Sequence, residues 1–182
     1  MQIQTKKTVF GNKPDGAGRL QKEMDTYDLL DRLGIPYGRM DHDEAATIDA
    51  CLDVEKTLGV EICKNLFLCN AQKTAFYLLM MPGNKIFKTK DLSGQIGSSR
   101  LSFAGAEYME AYLNITPGSV SVLGLMNDKN RNIRLLIDRD VIRSEYIGCH
   151  PCVNTASLKI KTSDLLEKFL PYTGHVSVFV QL

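Results

Sequence analysis

The stretch Cys63-Lys64-Asn65-Leu66-Phe67-Leu68-Cys69 is followed by Asn70-Ala71-Gln72-Lys73 and then by Thr74-Ala75-Phe76-Tyr77-Leu78-Leu79-Met80-Met81. Two apolar runs of strand length around a short polar connection read as a β-hairpin, with strands predicted over 60–69 and 74–81. Alternation puts Lys64, Leu66 and Leu68 on one side of the first strand and Asn65, Phe67 and Cys69 on the other. Lys64 thus leads a hydrophobic row, where its ammonium must reach water, an anion or a carbonyl dipole.

On the N-terminal side, Thr26 is predicted to cap a helix through Tyr27, Leu29, Leu30 and Leu33 that stops at Gly34. A second helix is predicted from Thr47, with Cys51, Leu52, Val54 and Leu58 inside and Gly59 ending it. On the C-terminal side the pattern gives a short helix over 90–97, a polar loop over 98–103, and a helix over 102–113 with Gly105 as its weak point. A second hairpin is predicted from strands 119–126 and 133–138 across Asn127-Asp128-Lys129-Asn130. Short strands over 146–149 and 155–160, a helix capped by Thr162 or Ser163, and a strand over 176–180 complete the reading. Helices scattered among mostly hairpin-linked strands give the α+β class, with a single mixed, mostly antiparallel central sheet and surrounding helices. Residues 1–22 lack periodicity and are expected to form a flexible extension of one domain, 23–182.

The apolar fraction of 44% and charged fraction of 24% are those of an ordinary globular protein. No apolar run reaches the roughly 20 residues that span a bilayer, and no signal peptide is evident, so a cytoplasmic protein without membrane contact is expected. A net charge of +1 lacks the basic footprint of a protein that coats DNA or RNA, but permits a grip on one RNA end. The local excess of Lys6, Lys7, Lys13, Arg19 and Lys22 reads as a solvated tail. Five cysteines, an odd number, argue for free thiols. Cys149-His150-Pro151-Cys152 has a C-x-x-C form, but no helix start follows it, and no second cysteine pair supports zinc. Neither a metal nor a cofactor is expected.

Gly94-Gln95-Ile96-Gly97-Ser98 is too loose for a nucleotide fingerprint, and neither a P-loop nor a G-x-S-x-G elbow is present. Thr116-Pro117-Gly118-Ser119-Val120 is better placed, since a Pro-Gly turn before a strand can present backbone N–H groups to a carbonyl or carboxylate. His150 and Asn154 in Gly148–Thr155 can form a polar site, or the histidine can be satisfied by backbone. Residues alone reach a small-molecule or nucleotide-binding α+β domain.

Taken in order, Lys64-Asn65-Leu66-Phe67-Leu68, the hairpin after it, I-G-S-S-R-L-S-F over 96–103, T-P-G-S-V over 116–120 and H-P-C-V-N-T-A-S over 150–157 resemble the freestanding prolyl-tRNA editing proteins. These are the YbaK/ProX-like (PrdX-like) relatives of the editing insertion domain of prolyl-tRNA synthetase, and Tyr27-Asp28-Leu29-Leu30 with Asp41-His42 resembles their opening helix and strand. The resemblance implies hydrolysis of the ester of mischarged proline tRNA, with alanine on that tRNA as preferred substrate and no cofactor. It implies the aminoacyl-tRNA 3′ end as partner and allows prolyl-tRNA synthetase as a second. Non-catalytic binding of aminoacyl-tRNA or of an amino acid, or deacylation of proline tRNA carrying cysteine or another small amino acid, are the alternatives.

Carried across residue by residue, the resemblance gives Lys64 the orienting of the terminal adenosine end and ester, and Asn65 the holding of strand mouth or substrate. Gly118 with Ser119 corresponds to the loop that offers backbone donors, His150 to a pocket histidine, and Asn154 and Thr155 follow in its motif. Arg100 and Ser102 are expected to approach phosphate or ribose. Relatives commonly have G-x-x-x-P at the glycine loop, whereas Val122 stands four residues after Gly118 here.

Overall fold

A computed structural model of the chain describes residues 9–44 and 48–182. In order, the elements are α1 (Gln21–Arg32), β1 (Tyr37–Asp41), α2 (Ile48–Leu58), β2 (Lys64–Asn70), β3 (Phe76–Met81), α3 (Thr89–Ile96), β4 (Leu101–Phe103) and α4 (Ala106–Leu113). A 3₁₀ segment (Val122–Asn127), β5 (Ile133–Asp138), α5 (Arg139–Ile142), β6 (Tyr146–Cys149) and β7 (Ala156–Lys161) follow. The chain ends with α6 (Thr162–Asp164), a π turn (Leu165–Phe169), α7 (Leu170–Thr173) and β8 (Ser177–Val180).

The α+β class holds, and the β2–β3 hairpin forms with Lys64 opposite Met81 and Cys69 opposite Phe76. The strands divide between two sheets, a correction to the single central one. A three-stranded antiparallel sheet has the order β1-β7-β6, and a five-stranded mixed sheet the order β4-β2-β3-β5-β8. Alternation assigns faces to a strand but not partners, so this division is invisible in the pattern. The main core fills the space between the sheets: Phe67, Leu78, Leu135, Leu158 and Ile160 meet α1 and α4 there. Leu68, Leu79 and Met81 face the other way, onto Leu92 of α3. The outer face of the three-stranded sheet is covered by α2, through Met40, Val54 and Leu58.

A backbone bridge also joins the sheets. Ile62, just before β2, bridges Gly148 of β6, with Cys63 N–H donating to the Gly148 carbonyl at 3.0 Å and Gly148 N–H to that of Glu61 at 3.1 Å. A Cβ at position 148 would lie 2.6 Å from Ile62 Cδ1 and 2.7 Å from the Glu61 carbonyl oxygen, so only glycine fits.

Several local expectations are corrected. The second hairpin does not form, because β5 runs parallel to both β3 and β8 and has no free edge. Residues 122–125 are buried without alternation, and Ser121 Oγ accepts from Leu123 N–H to start the 3₁₀ segment. Thr26 is not a cap: it lies inside α1, where its hydroxyl donates to the Lys22 carbonyl at 2.9 Å. Gly105 is the N-cap of α4 rather than a flaw within it, and the loop over 98–103 contains β4. Cys51 and Leu52 are exposed on α2, and Thr47, its expected start, lies outside the described residues.

Residues 1–8 of the expected flexible extension also lie outside the described residues. Those from 9 onward lie against the domain: Phe10 exchanges backbone hydrogen bonds with Arg39, whose guanidinium stacks 4.7 Å from the Phe10 ring centre. Lys13 pairs with Asp28, and Arg19 with Glu23 and Asp41, so these cations are neutralised locally. Among the described residues no helix is long and apolar enough to cross a membrane.

Candidate active site

β6 and β7 pair so that Gly148 faces Lys159, and the same register carried two residues further sets His150 opposite Ser157. Leu158 and Ile160 turn into the core, so Ser157 projects to the face that α2 covers. There a cavity of about 350 Å³ is lined by His42, Glu44, Cys51, Val54, Ile62, Gly118, His150, Asn154 and Ser157. Its wall thus comes from five separated segments: the end of β1, α2, the approach to β2, the Pro-Gly turn and the β6–β7 connection. A second cleft, of about 490 Å³, shares Glu44 and Asn154 with it and is lined further by Arg19, Lys22, Asp41, Thr116, Ser119 and Thr155. Burial works against the Asp41 charge, but hydrogen bonds from Arg19 and Arg39 outweigh it and hold its carboxyl below the usual range.

The turn at Gly118 closes through Ser119 N–H to the Thr116 carbonyl at 3.1 Å. Gly118 has φ +90°, the positive value that a type II turn requires at its third residue. A Cβ there would meet Asn154 Nδ2 at 3.7 Å, so the hindrance to substitution is backbone strain rather than space. Gly118→Ala is expected to lower stability by about 1–3 kcal/mol. Urea unfolding measures the loss, and an unchanged midpoint would show that the turn relaxes freely.

His150 Nδ1 donates to the Ala156 carbonyl at 2.9 Å. Burial lowers the His150 pKa, the Ala156 bond opposing it and a charge on His42 adding to it, so the ring is neutral at physiological pH. Its flanking thiols are unsuited to redox work. Cys149 and Cys152 are fully buried in the main core, where desolvation pushes the Cys149 thiol strongly up and that of Cys152 to about 11. Among the described residues no group of three or more His, Cys, Asp or Glu is placed to hold a metal ion.

Of the residues singled out by sequence, Gly118, His150 and Asn154 meet at the first cavity, and Ser119, Asn154 and Thr155 at the cleft. Lys64 and Asn65 stand just beyond Ile62 on opposite faces of β2. The Lys64 ammonium donates to the Lys85 carbonyl, a dipole as the strand reading allows, and the Lys85 side chain is itself tied to Asp138 at 2.8 Å. Asn65 Nδ2 donates to the Cys63 carbonyl at 3.2 Å, and its Oδ1 is buried without a hydrogen-bond partner. Arg100 and Ser102 are not brought to the cavity. Ser102 pairs with Cys69, five residues along β2 from Lys64, or about 16 Å at roughly 3.3 Å per residue. Sequence reasoning missed His42, Glu44 and Ser157 as site residues, although His150 and Ser157 bracket a predicted strand pair whose register brings them together.

Residues 42–168 match the model of the aminoacyl-tRNA editing domain. The prolyl-tRNA editing protein ProX of Acetoanaerobium sticklandii is 31% identical, over 84% of this chain and 93% of that protein. The prolyl-tRNA synthetase associated domain-containing protein 1 of Danio rerio is 29% identical, over 88% of this chain and 86% of its own length. A crystal structure described as a candidate trans-editing enzyme for prolyl tRNA synthetase superposes with a TM-score of 0.65 at 15% identity, covering 90% of this chain and 98% of the other.

Proposed function

The chain belongs to the aminoacyl-tRNA editing domain family, and from that premise we propose that it is a trans-editing deacylase that hydrolyses the ester of mischarged proline tRNA, with alanine as the preferred acyl group. The observation that carries the reading is the convergence of Gly118 with His150 and Asn154, more than thirty residues further along the chain, on one small cavity. Its volume of about 350 Å³ lies near the lower end of ligand-binding sites, which run from about 300 to 1,000 Å³. A small compartment suits the sorting problem. A pocket built for proline rejects alanine by only about 1–3 kcal/mol, so the error is removed by a second site that admits the smaller acyl group and excludes the larger.

The cleft that shares Asn154 and Glu44 with the cavity gives the terminal nucleotide a place beside the acyl group. Within the Pro-Gly turn, Ser119 N–H is committed to Thr116, which leaves the Gly118 amide as the loop's candidate donor to the ester carbonyl. Lys64 and Asn65 act from the neighbouring strand mouth, Lys64 by exchanging the Lys85 carbonyl for the nucleotide end of the substrate. Prolyl-tRNA synthetase is the expected source of the mischarged tRNA.

Deacylation of proline tRNA carrying alanine, cysteine, serine or proline tests the reading. Alanine should be released fastest and proline spared, and inertness toward every ester would select a binding module instead. Lys64→Ala should lower the rate about tenfold, the worth of one charge-assisted hydrogen bond of about 1.5 kcal/mol. Equal rates for variant and wild type would remove Lys64 from the site while leaving the activity intact.

A further inference from the structure

His42, Ser157 and His150 form a chain of hydrogen bonds whose direction is set at both ends by backbone carbonyls. His150 Nδ1 lies 2.9 Å from the Ala156 carbonyl oxygen, and His42 Nδ1 lies 2.7 Å from that of Asp43. A carbonyl only accepts, so each Nδ1 carries a hydrogen and each Nε2 of a neutral ring bears a lone pair. His42 Nε2 stands 2.8 Å from Ser157 Oγ, so the hydroxyl donates to it. With its hydrogen committed, Ser157 Oγ accepts from His150 Nδ1 at 3.4 Å, the weaker branch of the bond shared with Ala156. The rings are 6.4 Å apart and inclined at 55°, so the hydroxyl bridges them without stacking. The other tautomer of His150 would set a lone pair against the Ala156 carbonyl and leave Ser157 without a donor.

We propose that His42 and Ser157 are positioning residues that, beside the Ala156 carbonyl, keep His150 in its Nδ1–H tautomer by turning the Ser157 hydroxyl away from Nδ1, so that Nε2 takes a proton from the water attacking the ester. The step rests on the deacylase reading above. As the water oxygen bonds to the ester carbonyl carbon, one of its protons passes to Nε2. The tetrahedral intermediate collapses by breaking its bond to the ribose oxygen, and Nε2–H returns the proton to that oxygen. Water and ester become acid and alcohol, and the ring ends neutral. Burial supports this role by keeping His150 unprotonated beforehand. The titratable groups around it are His42 beyond β1, Glu44 in the loop that follows, Cys51 on α2, and Cys149 and Cys152 along its own segment.

Nitrogen-15 NMR of the imidazoles reads the tautomer in the free protein, and steady-state deacylation of alanyl proline tRNA reads its consequence. The wild type should show His150 in the Nδ1–H form alone. His42→Leu frees the Ser157 hydroxyl to donate to His150 Nδ1 and should show mixed tautomers, with kcat lower by about tenfold or more and KM within about twofold. Ser157→Ala leaves Ala156 as sole acceptor and should keep the Nδ1–H form with a smaller loss of kcat. His42→Gln, whose amide oxygen accepts from Ser157, and Ser157→Thr, which keeps the hydroxyl, should recover most of the rate and guard against misfolding. A pure Nδ1–H ring in His42→Leu would overturn the proposal, as would mixed tautomers with unchanged kcat. If the wild type hydrolyses no ester, the deacylase reading and the proton step fall together, while the tautomer measurement still decides whether the chain sets the ring.

Discussion

Replacing His150 by alanine is expected to lower kcat for ester hydrolysis by about 10²–10⁴-fold, the usual contribution of a positioned acid–base group, with a smaller change in KM. The residue lines the cavity, is neutral through burial, and has its Nδ1 committed to Ala156, so the alanine variant loses the Nε2 lone pair that the proposed proton step uses. The same burial predicts a stability signature. His150 has a folded pKa below its ordinary value of 6.5, so it contributes stability at higher pH that is lost as pH falls from 6.5 through the folded value. The alanine variant should lack that acid-side loss. Single-turnover deacylation and melts at pH 5 to 8 measure both effects. A rate within threefold of wild type would exclude His150 from the proton transfer.

Asp128→Ala is expected to be the most destabilising single change considered, by about 3–5 kcal/mol. The Asp128 carboxylate is fully buried and accepts from Asn132 N–H at 2.9 Å, Asn132 Nδ2 at 3.2 Å, Ile133 N–H at 2.8 Å and His175 Nε2 at 3.0 Å. It thereby ties the loop after the 3₁₀ segment to the start of β5 and to the segment that enters β8. Alanine would orphan the Ile133 amide and leave His175, whose Nδ1 is already buried without a partner, with no hydrogen bond from either ring nitrogen. At about 2–4 °C per kcal/mol for a chain of this size, the melting temperature should fall by roughly 6–20 °C. Urea unfolding with an unchanged slope and a shifted midpoint is the matching measurement. A loss under about 1 kcal/mol would show that water replaces the carboxylate.

The difference between these residues reflects what a sequence displays. His150, Gly118 and Asn154 sit in short motifs that suggest a polar site and a donor turn separately, and only the ordered resemblance to a family groups them. Ser157 and His42 have meaning only through the β1–β7 pairing that brings them diagonally within hydrogen-bond reach, and Asp128 lies inside a stretch that reads as an ordinary hairpin turn. The β2–β3 hairpin is readable because local alternation and a short connection specify antiparallel neighbours. The parallel pairing of β5 with β3 and β8 is not, since those contacts join strands about 50 residues apart and leave no local signature. Motif order alone puts Arg100 and Ser102 near the substrate, whereas β4 carries them to the far end of β2.

The glycine joint between the sheets has a bearing on selectivity. His150 follows Gly148 by two residues, and Ile62, which Gly148 touches, is itself a wall of the cavity. The gap between those two walls is therefore gauged by a methyl group that is missing, since even one carbon at position 148 would press within 2.6 Å of Ile62. What the chamber admits is then a property of backbone spacing as well as of the side chains that line it. Two proteins of this kind with identical linings can differ in what they admit if their sheets are set at different distances.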